Sequence, residues 1–200
     1  MPKTVDYYFA PNSPWTYFGH DRFARAAAMH GATIRVKPVD YGRIFPVSGG
    51  LPLKQRAPQR QAYRLVELAR FRDHLGVPLN LEPRYFPVDA TPAALAIIAA
   101  DSAAGTDAAM RLAGACLRAV WVEERNIADT VELAAIVGEQ GLDAEKLMLE
   151  DAVAAAKARF DANTQEAIDR GVFGAPSYVL NGEIFWGQDR LEFLARALAR

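Results

Sequence analysis

The chain is poor in the residues that carry most covalent and metal chemistry. It has one cysteine, Cys116, which cannot form an internal disulfide, so nothing points to an oxidising compartment. Its three histidines, His20, His30 and His74, show no ligand spacing with one another or with Cys116, which argues against a structural metal site. An excess of one charge is lacking too. Lys and Arg number 23 against 24 Asp and Glu, for a net charge of −1, so there is no general electrostatic pull toward nucleic acid or an anionic membrane. No apolar run approaches the ~20 residues that span a bilayer. The opening, Met1-Pro2-Lys3-Thr4-Val5-Asp6-Tyr7-Tyr8-Phe9, goes straight into a strand pattern without the apolar stretch and cleavage site of a secretory signal, and the expected compartment is the cytoplasm. Two common catalytic devices are also missing. Pro11-Asn12-Ser13-Pro14 stands where a glycine-rich phosphate loop would follow the first strand, and no G-x-S-x-G elbow occurs. His20 lies about two turns, ~10 Å, beyond Ser13 on the same expected helix, too far to take its proton directly.

What is present is an ordinary globular composition, 51% hydrophobic and 24% charged over 200 residues. That length suffices for one large domain or two small ones sharing a core. Residues 4–10 are rich in β-branched and aromatic types and read as a buried strand. Ser13 and Pro14 then suit the N-cap and first position of a helix running to about His30, with Gly31 as its stop. Residues 33–39 alternate in polarity as a second strand, and strand–helix–strand makes the two strands parallel. Apart from a proline-rich extended stretch near 77–92, residues 57–170 are helical in pattern, with breaks near Gly76, Gly105, Asn126–Asp129 and Gly141. Strands return at Ser177–Leu180 and Glu183–Trp186, joined by Asn181-Gly182, a strong hairpin signal. A last helix covers about 190–199, with Asp189 and Glu192 at capping-box spacing. Helices between strands that occur only at the two ends describe a helical domain inserted into an α/β one.

Two local features bear on chemistry. Ser13 stands at the first strand-to-helix junction, where α/β sheets gather ligands and a helix N-terminus favours anions. Ser-Pro is equally a good way to begin a helix. Phe173-Gly174-Ala175-Pro176-Ser177 brings a proline into a strand, as an edge residue or in a cis turn. Asp189 is a helix cap by spacing alone, which does not prevent it from facing a ligand. Cys116 and Trp121 occupy core-like helix positions.

Together these pieces resemble the thioredoxin fold of the DsbA-like superfamily. There the first helix opens with the reactive cysteine of Cys-x-x-Cys; here the positions read Ser13-Pro14-Trp15-Thr16, with no sulfur for disulfide exchange. Within it the chain is similar to the 2-hydroxychromene-2-carboxylate isomerases and kappa-class glutathione transferases. The similarity rests on Tyr8-Phe9 with Asn12 through Phe18, on Arg60-Gln61-Ala62-Tyr63, on Phe173 through Pro176, and on Phe185-Trp186-Gly187-Gln188-Asp189-Arg190. It implies an α/β thioredoxin-like domain made of residues 1–45 and 171–200, interrupted by an all-helical domain over 46–170. It also implies a homodimer using glutathione as cofactor and a small-molecule substrate from aromatic degradation. Ser13 would address the glutathione sulfur, the Ala175 backbone before Pro176 would pair with the peptide, and Asp189-Arg190 would hold the γ-glutamyl end. Trp15, Tyr63, Arg60 and Arg84, with Lys54, are the candidates for lining the substrate pocket. The family often carries Gly-Asn before the helical domain, and here Gly49-Gly50-Leu51-Pro52 stands instead, so that asparagine contact is missing or supplied elsewhere. The activities implied are a glutathione-dependent isomerase or a kappa-like transferase or peroxidase. The alternative of another class is a DsbA-like binding module that lost its cysteines.

The chemistry asked of Ser13 is feasible in size. A thiol of pKa about 8.5 needs about 2.7 kcal/mol of preferential thiolate stabilisation to titrate two units lower. A helix N-terminus contributes roughly 0.3–1 kcal/mol, and a hydroxyl donating to a charged acceptor roughly 1.5–3 kcal/mol.

Overall fold

A computed structural model describes residues 2–200. The first strand, β1 (Thr4–Phe9), is buried from Val5 onward and lies inside the sheet. It leads into helix α1 (Pro14–Met29), with Ser13 as N-cap, Pro14 in the first turn, and Gly31 just past the end at φ +60°. Strand β2 (Thr33–Pro38) returns parallel to β1, in register from Thr4 opposite Thr33 to Phe9 opposite Pro38.

Helix α2 (Tyr41–Ser48) had no counterpart in the sequence reading. The Asp40 carboxylate caps it by accepting from the Gly42 N–H at 2.7 Å, and Gly49 ends it at φ +76°. Its eight residues and internal Pro46 hide it from a periodicity argument. The boundary expected between 45 and 46 runs through this helix. Helices α3 (Pro58–Leu75), α4 (Thr91–Ala104), α5 (Thr106–Trp121), α6 (Thr130–Glu139), α7 (Ala144–Leu147) and α8 (Glu150–Asp169) follow, with the expected breaks at Gly76, Gly105, Asn126–Asp129 and Gly141. One further break, at Met148 and Leu149, was not expected.

Strands β3 (Ser177–Leu180) and β4 (Glu183–Trp186) form the expected hairpin, with positive φ at both Asn181 and Gly182 as a type I′ turn requires. β3 inserts antiparallel beside β1, giving the order β2-β1-β3-β4. Helix α9 (Leu191–Ala199) closes the chain, and one expectation fails there. Asp189 does not cap it. Residues Gln188–Arg190 form a single 3-10 turn, Arg190 stands at the N-cap without a side-chain bond, and the Asp189 carboxylate is taken by Arg190.

Side chains alternate between two faces. Val5, Tyr7 and Phe9 pack with Phe23 of α1, Ile97 of α4 and Leu112 of α5. Tyr8 and Val179 pack with Val39, with Tyr41 and Ile44 of α2, and with Ala167 of α8. The inserted helices share the first cluster with the strands. Helices on both faces of this mixed sheet make the α/β thioredoxin-like arrangement.

Candidate active site

The C-terminal end of β1, the start of α1 and the entry to β3 meet at one place. Tyr8 is opposite Ser177 in the antiparallel β1–β3 pair, so Pro176 stands level with Phe9 and Ala175 with Ala10. Ala10 and Ala175 pack against the same apolar cluster. The Ser13 N–H donates to the Ala10 carbonyl at 3.0 Å, folding the start of α1 back over this point. The bond between Ala175 and Pro176 is cis.

Ser13 is half-buried. Its hydroxyl accepts from the Thr16 N–H at 3.3 Å, and among the described residues no protein group accepts its hydrogen. The first turn of α1 holds no acidic residue, so no side-chain charge offsets its dipole. The Ala175 backbone takes no part in the backbone hydrogen bonds of turns and loops, leaving a peptide edge free beside Ser13. These features suit a peptide-like ligand carrying a negative charge.

The loop before Pro176 is held from several sides. The Gly174 carbonyl accepts from the Tyr41 hydroxyl at 2.9 Å and from the Ser177 hydroxyl at 2.6 Å. A Cβ on Gly174 would fall 2.3 Å from the Trp186 indole nitrogen, so a side chain there would displace the ring. The Gly187 N–H donates to the Pro176 carbonyl at 2.9 Å. Gly187 has φ +99°, and a Cβ on it would lie 2.5 Å from an Asp189 carboxylate oxygen, so Asp189 folds over this junction. Arg22 of α1 donates to the Gln188 side chain at 2.6 Å and to its carbonyl at 3.1 Å, fixing the turn that presents Asp189 and Arg190.

The pocket-lining candidates divide. Trp15 packs edge-on against Phe71 of α3 at 5.9 Å between ring centroids, on the side of Ser13 that faces the helices. Tyr63 is 55% exposed, accepts from Arg70 at 3.3 Å and lies under that guanidinium. Arg84 is exposed over the Tyr85 ring at 5.3 Å, and Arg60 and Lys54 are exposed. No contact joins Tyr63, Arg84, Arg60 or Lys54 to Ser13 or Ala175. The Gly49-Gly50 tract has a local reason. A Cβ on Gly50 would come 2.4 Å from the Phe45 ring, so any longer side chain would have to displace it.

Two arginines that sequence reasoning passed over stand closer. Arg56 donates to the Leu51 carbonyl at 2.8 Å and lies 6.0 Å from the Phe45 centroid, beside the Ala10–Ala175 cluster. Arg64 packs against the side of the Phe86–Trp121 ring pair, and the Trp121 indole N–H donates to the Asn12 carbonyl at 3.1 Å. Asn12 in turn donates to the Val88 carbonyl at 2.8 Å. The available signal was the spacing of four between Arg56, Arg60 and Arg64 with no acid beside them. Two surface depressions lie elsewhere. One of about 500 Å³ is lined by Ala24, Ile34, Met110 and Arg111, toward the far end of α1. Another of about 300 Å³ lies among Tyr85, Arg125 and Glu132. Neither includes a group at the Ser13 junction.

A thioredoxin-type sheet whose first helix begins with serine opposite a cis-proline defines a DsbA-class protein without the redox cysteines. Residues 4–199 match the DSBA-like thioredoxin domain, and the chain belongs to that family. It is 33% identical over 199 residues to the 2-hydroxychromene-2-carboxylate isomerase of Pseudomonas putida, covering 98% of this chain and 94% of that protein. It is 24% identical to glutathione s-transferase kappa 2 of Caenorhabditis elegans, covering 98% of this chain and 92% of that one. Among solved structures it is similar to a 2-hydroxychromene-2-carboxylate isomerase, with a TM-score of 0.79 and 31% identity over 98% of this chain and 95% of the other. No helix among the described residues is long and apolar enough to cross a membrane.

Proposed function

We propose that this protein is a glutathione-dependent isomerase of a conjugated aromatic acid, of the 2-hydroxychromene-2-carboxylate type. The observation that carries the reading is Ser13, which caps an uncompensated helix N-terminus with its own hydrogen unused, beside the free peptide edge of Ala175. When bound, glutathione would supply a thiolate that adds to a conjugated bond and leaves again, so the double bond isomerises with no net oxidation. The Ser13 hydroxyl donates to the negative sulfur, and the α1 N-terminus favours the same charge. The Ala175 backbone orients the peptide, and the Asp189 carboxylate faces the γ-glutamyl ammonium. Serine is a donor here and not a nucleophile; no general base stands within its reach.

The test is thermal unfolding with and without millimolar reduced glutathione, with oxidised glutathione as control. A ligand at 100 times its Kd adds about 2.7 kcal/mol, which raises the midpoint of a domain of this size by roughly 5–10 °C. A shift with the reduced form is expected. No shift at any concentration would sink the proposal and leave a binding module. The kappa relative favours a second reading, net conjugation at the same site. Stoichiometry separates the two, because isomerisation consumes no glutathione.

A further inference from the structure

Helix α3 carries a group of charges that neither the fold nor the reading above uses. Arg56 precedes the helix, and Arg60 and Arg64 follow at intervals of four, so the last two lie on one face. The ion pairs of α3 are Arg70 with Glu67 and Arg72 with Asp73; Arg56, Arg60 and Arg64 have none among the described residues. Like charges one turn apart on a helix repel, and no acidic residue in its first turn relieves them.

Arg64 is the most unusual of the three. Its guanidinium carbon lies 5.0 Å from the Phe86 centroid and 5.7 Å from that of Trp121, and the two rings are 4.7 Å apart. Cation–π attraction to both rings holds the half-buried fork against their side. One terminal nitrogen, Nη2, is buried and has no hydrogen-bond partner. Burial, aided by the Arg56 charge, pushes the group's pKa down to about 10. A buried charged donor without an acceptor is costly and calls for an explanation. Its place supplies one. Trp121 bonds to Asn12, the residue before Ser13, so one indole touches both the guanidinium and the turn that opens α1.

We propose that Arg64 is the carboxylate receptor of this site, taking the acid group of a flat aromatic substrate on the guanidinium fork that the protein leaves unpaired. The fork geometry of guanidinium matches a carboxylate, and the flanking rings present apolar surface to the aromatic body. The inference rests on the isomerase reading for the substrate it names. A glutathione carboxylate offers the same chemistry, and the experiment separates the two sources.

The probe is chromone-2-carboxylate, compared with its neutral carboxamide, titrated calorimetrically into the protein without glutathione. The wild-type protein is expected to favour the acid by at least about 30-fold, within the range for a charge-assisted bond. Arg64→Met, which keeps the aliphatic stem, is expected to bind acid and amide within about threefold of each other. Arg64→Lys keeps the charge without the fork and is expected to fall between; it also serves if the methionine variant folds poorly. Arg72→Met removes a half-buried charge already paired with Asp73 on the same helix and is expected to keep the wild-type preference. No acid preference in the wild type, or one that survives in Arg64→Met, would overturn the proposal. So would an Arg64→Met protein that loses its stabilisation by reduced glutathione, since the guanidinium would then serve that ligand. Acid preference lost in Arg64→Met, in a protein that glutathione never stabilises, upholds the receptor and sinks the cofactor reading alone.

Discussion

At the scale of the residue, Ser13 has two roles that one substitution separates. As a cap, its loss in Ser13→Ala costs about 1 kcal/mol of stability. As a donor to sulfur, its loss removes roughly 1.5–3 kcal/mol of thiolate stabilisation, which raises the bound thiol's pKa by about 1–2 units. Turnover near pH 7 is therefore expected to drop by about 3–25-fold, with the deficit closing by about pH 9 as the thiol ionises unaided. An unshifted pH–rate profile would reduce Ser13 to its structural role. Ser13, Ala175 and Pro176 were legible in the sequence because each is tied to a local backbone event: a helix start or a strand entry. Arg64 was not, because an arginine is notable only for the partner it lacks, and a partner is a fact of three dimensions. Asp189 was misread for a related reason. Capping spacing identifies a residue able to cap, while here the carboxylate goes to Arg190 and a 3-10 turn delays the helix.

At the scale of the element, α1 carries the site at one end and a buried polar relay in its middle. His20 is 4% exposed, with Nδ1 3.1 Å from the Tyr7 hydroxyl and Nε2 2.9 Å from the Met110 carbonyl. Burial raises the Tyr7 pKa well above its ordinary value, so Tyr7 keeps its proton and donates to Nδ1, while the Nε2–H of His20 donates to Met110. Burial lowers the His20 pKa, and the Met110 carbonyl and nearby Asp21 oppose that only in part. The sign follows. Below about pH 6.5 the unfolded chain binds a proton that the folded chain refuses, so this contribution to stability is present above that pH and is lost as pH falls. The slope is at most about 1.4 kcal/mol per unit. In His20→Gln, urea unfolding is expected to show a lower stability at pH 7.5, because Tyr7 and Met110 lose their partner. It is also expected to show a shallower decline toward pH 5.5. Parallel pH dependences in the two proteins would exclude His20 as the titrating group. Long elements such as α1, α3 and α8 were legible because their periodicity runs over several turns. Helix α2 was not, since eight residues with a proline leave too little pattern.

At the scale of the whole molecule, the two ends of the chain hold each other. The Lys3 ammonium donates to the carbonyls of Ala197 and Leu198 at 3.0 and 2.9 Å, capping the C-terminal end of α9 where a cation is favoured. Between the ends, one apolar cluster runs from β1 through α4, α5 and α6, and Cys116 lies in it with no exposed surface. Burial pushes its thiol up to about 12, so it is neither accessible nor ionised at neutral pH. A thiol reagent at pH 8 is expected to titrate no cysteine within minutes in native buffer and one in denaturant. Prompt labelling of the native protein would contradict the packing of α5. The division into strand-bearing ends and a helical middle was legible from composition and pattern. The sharing of one core between them was not, because nothing local records which helix face meets the sheet.

The position of β3 has a temporal consequence. Tyr8 and Ser177 are partners across a ladder, yet roughly 170 residues of chain separate them. On a ribosome, Ser13 and its helix emerge well before the peptide edge that completes the cleft. Closing so long a loop is entropically costly until the intervening helices have shortened the distance. The nascent chain therefore carries Ser13 and the helical wall of the cleft before it has the peptide edge that closes the site.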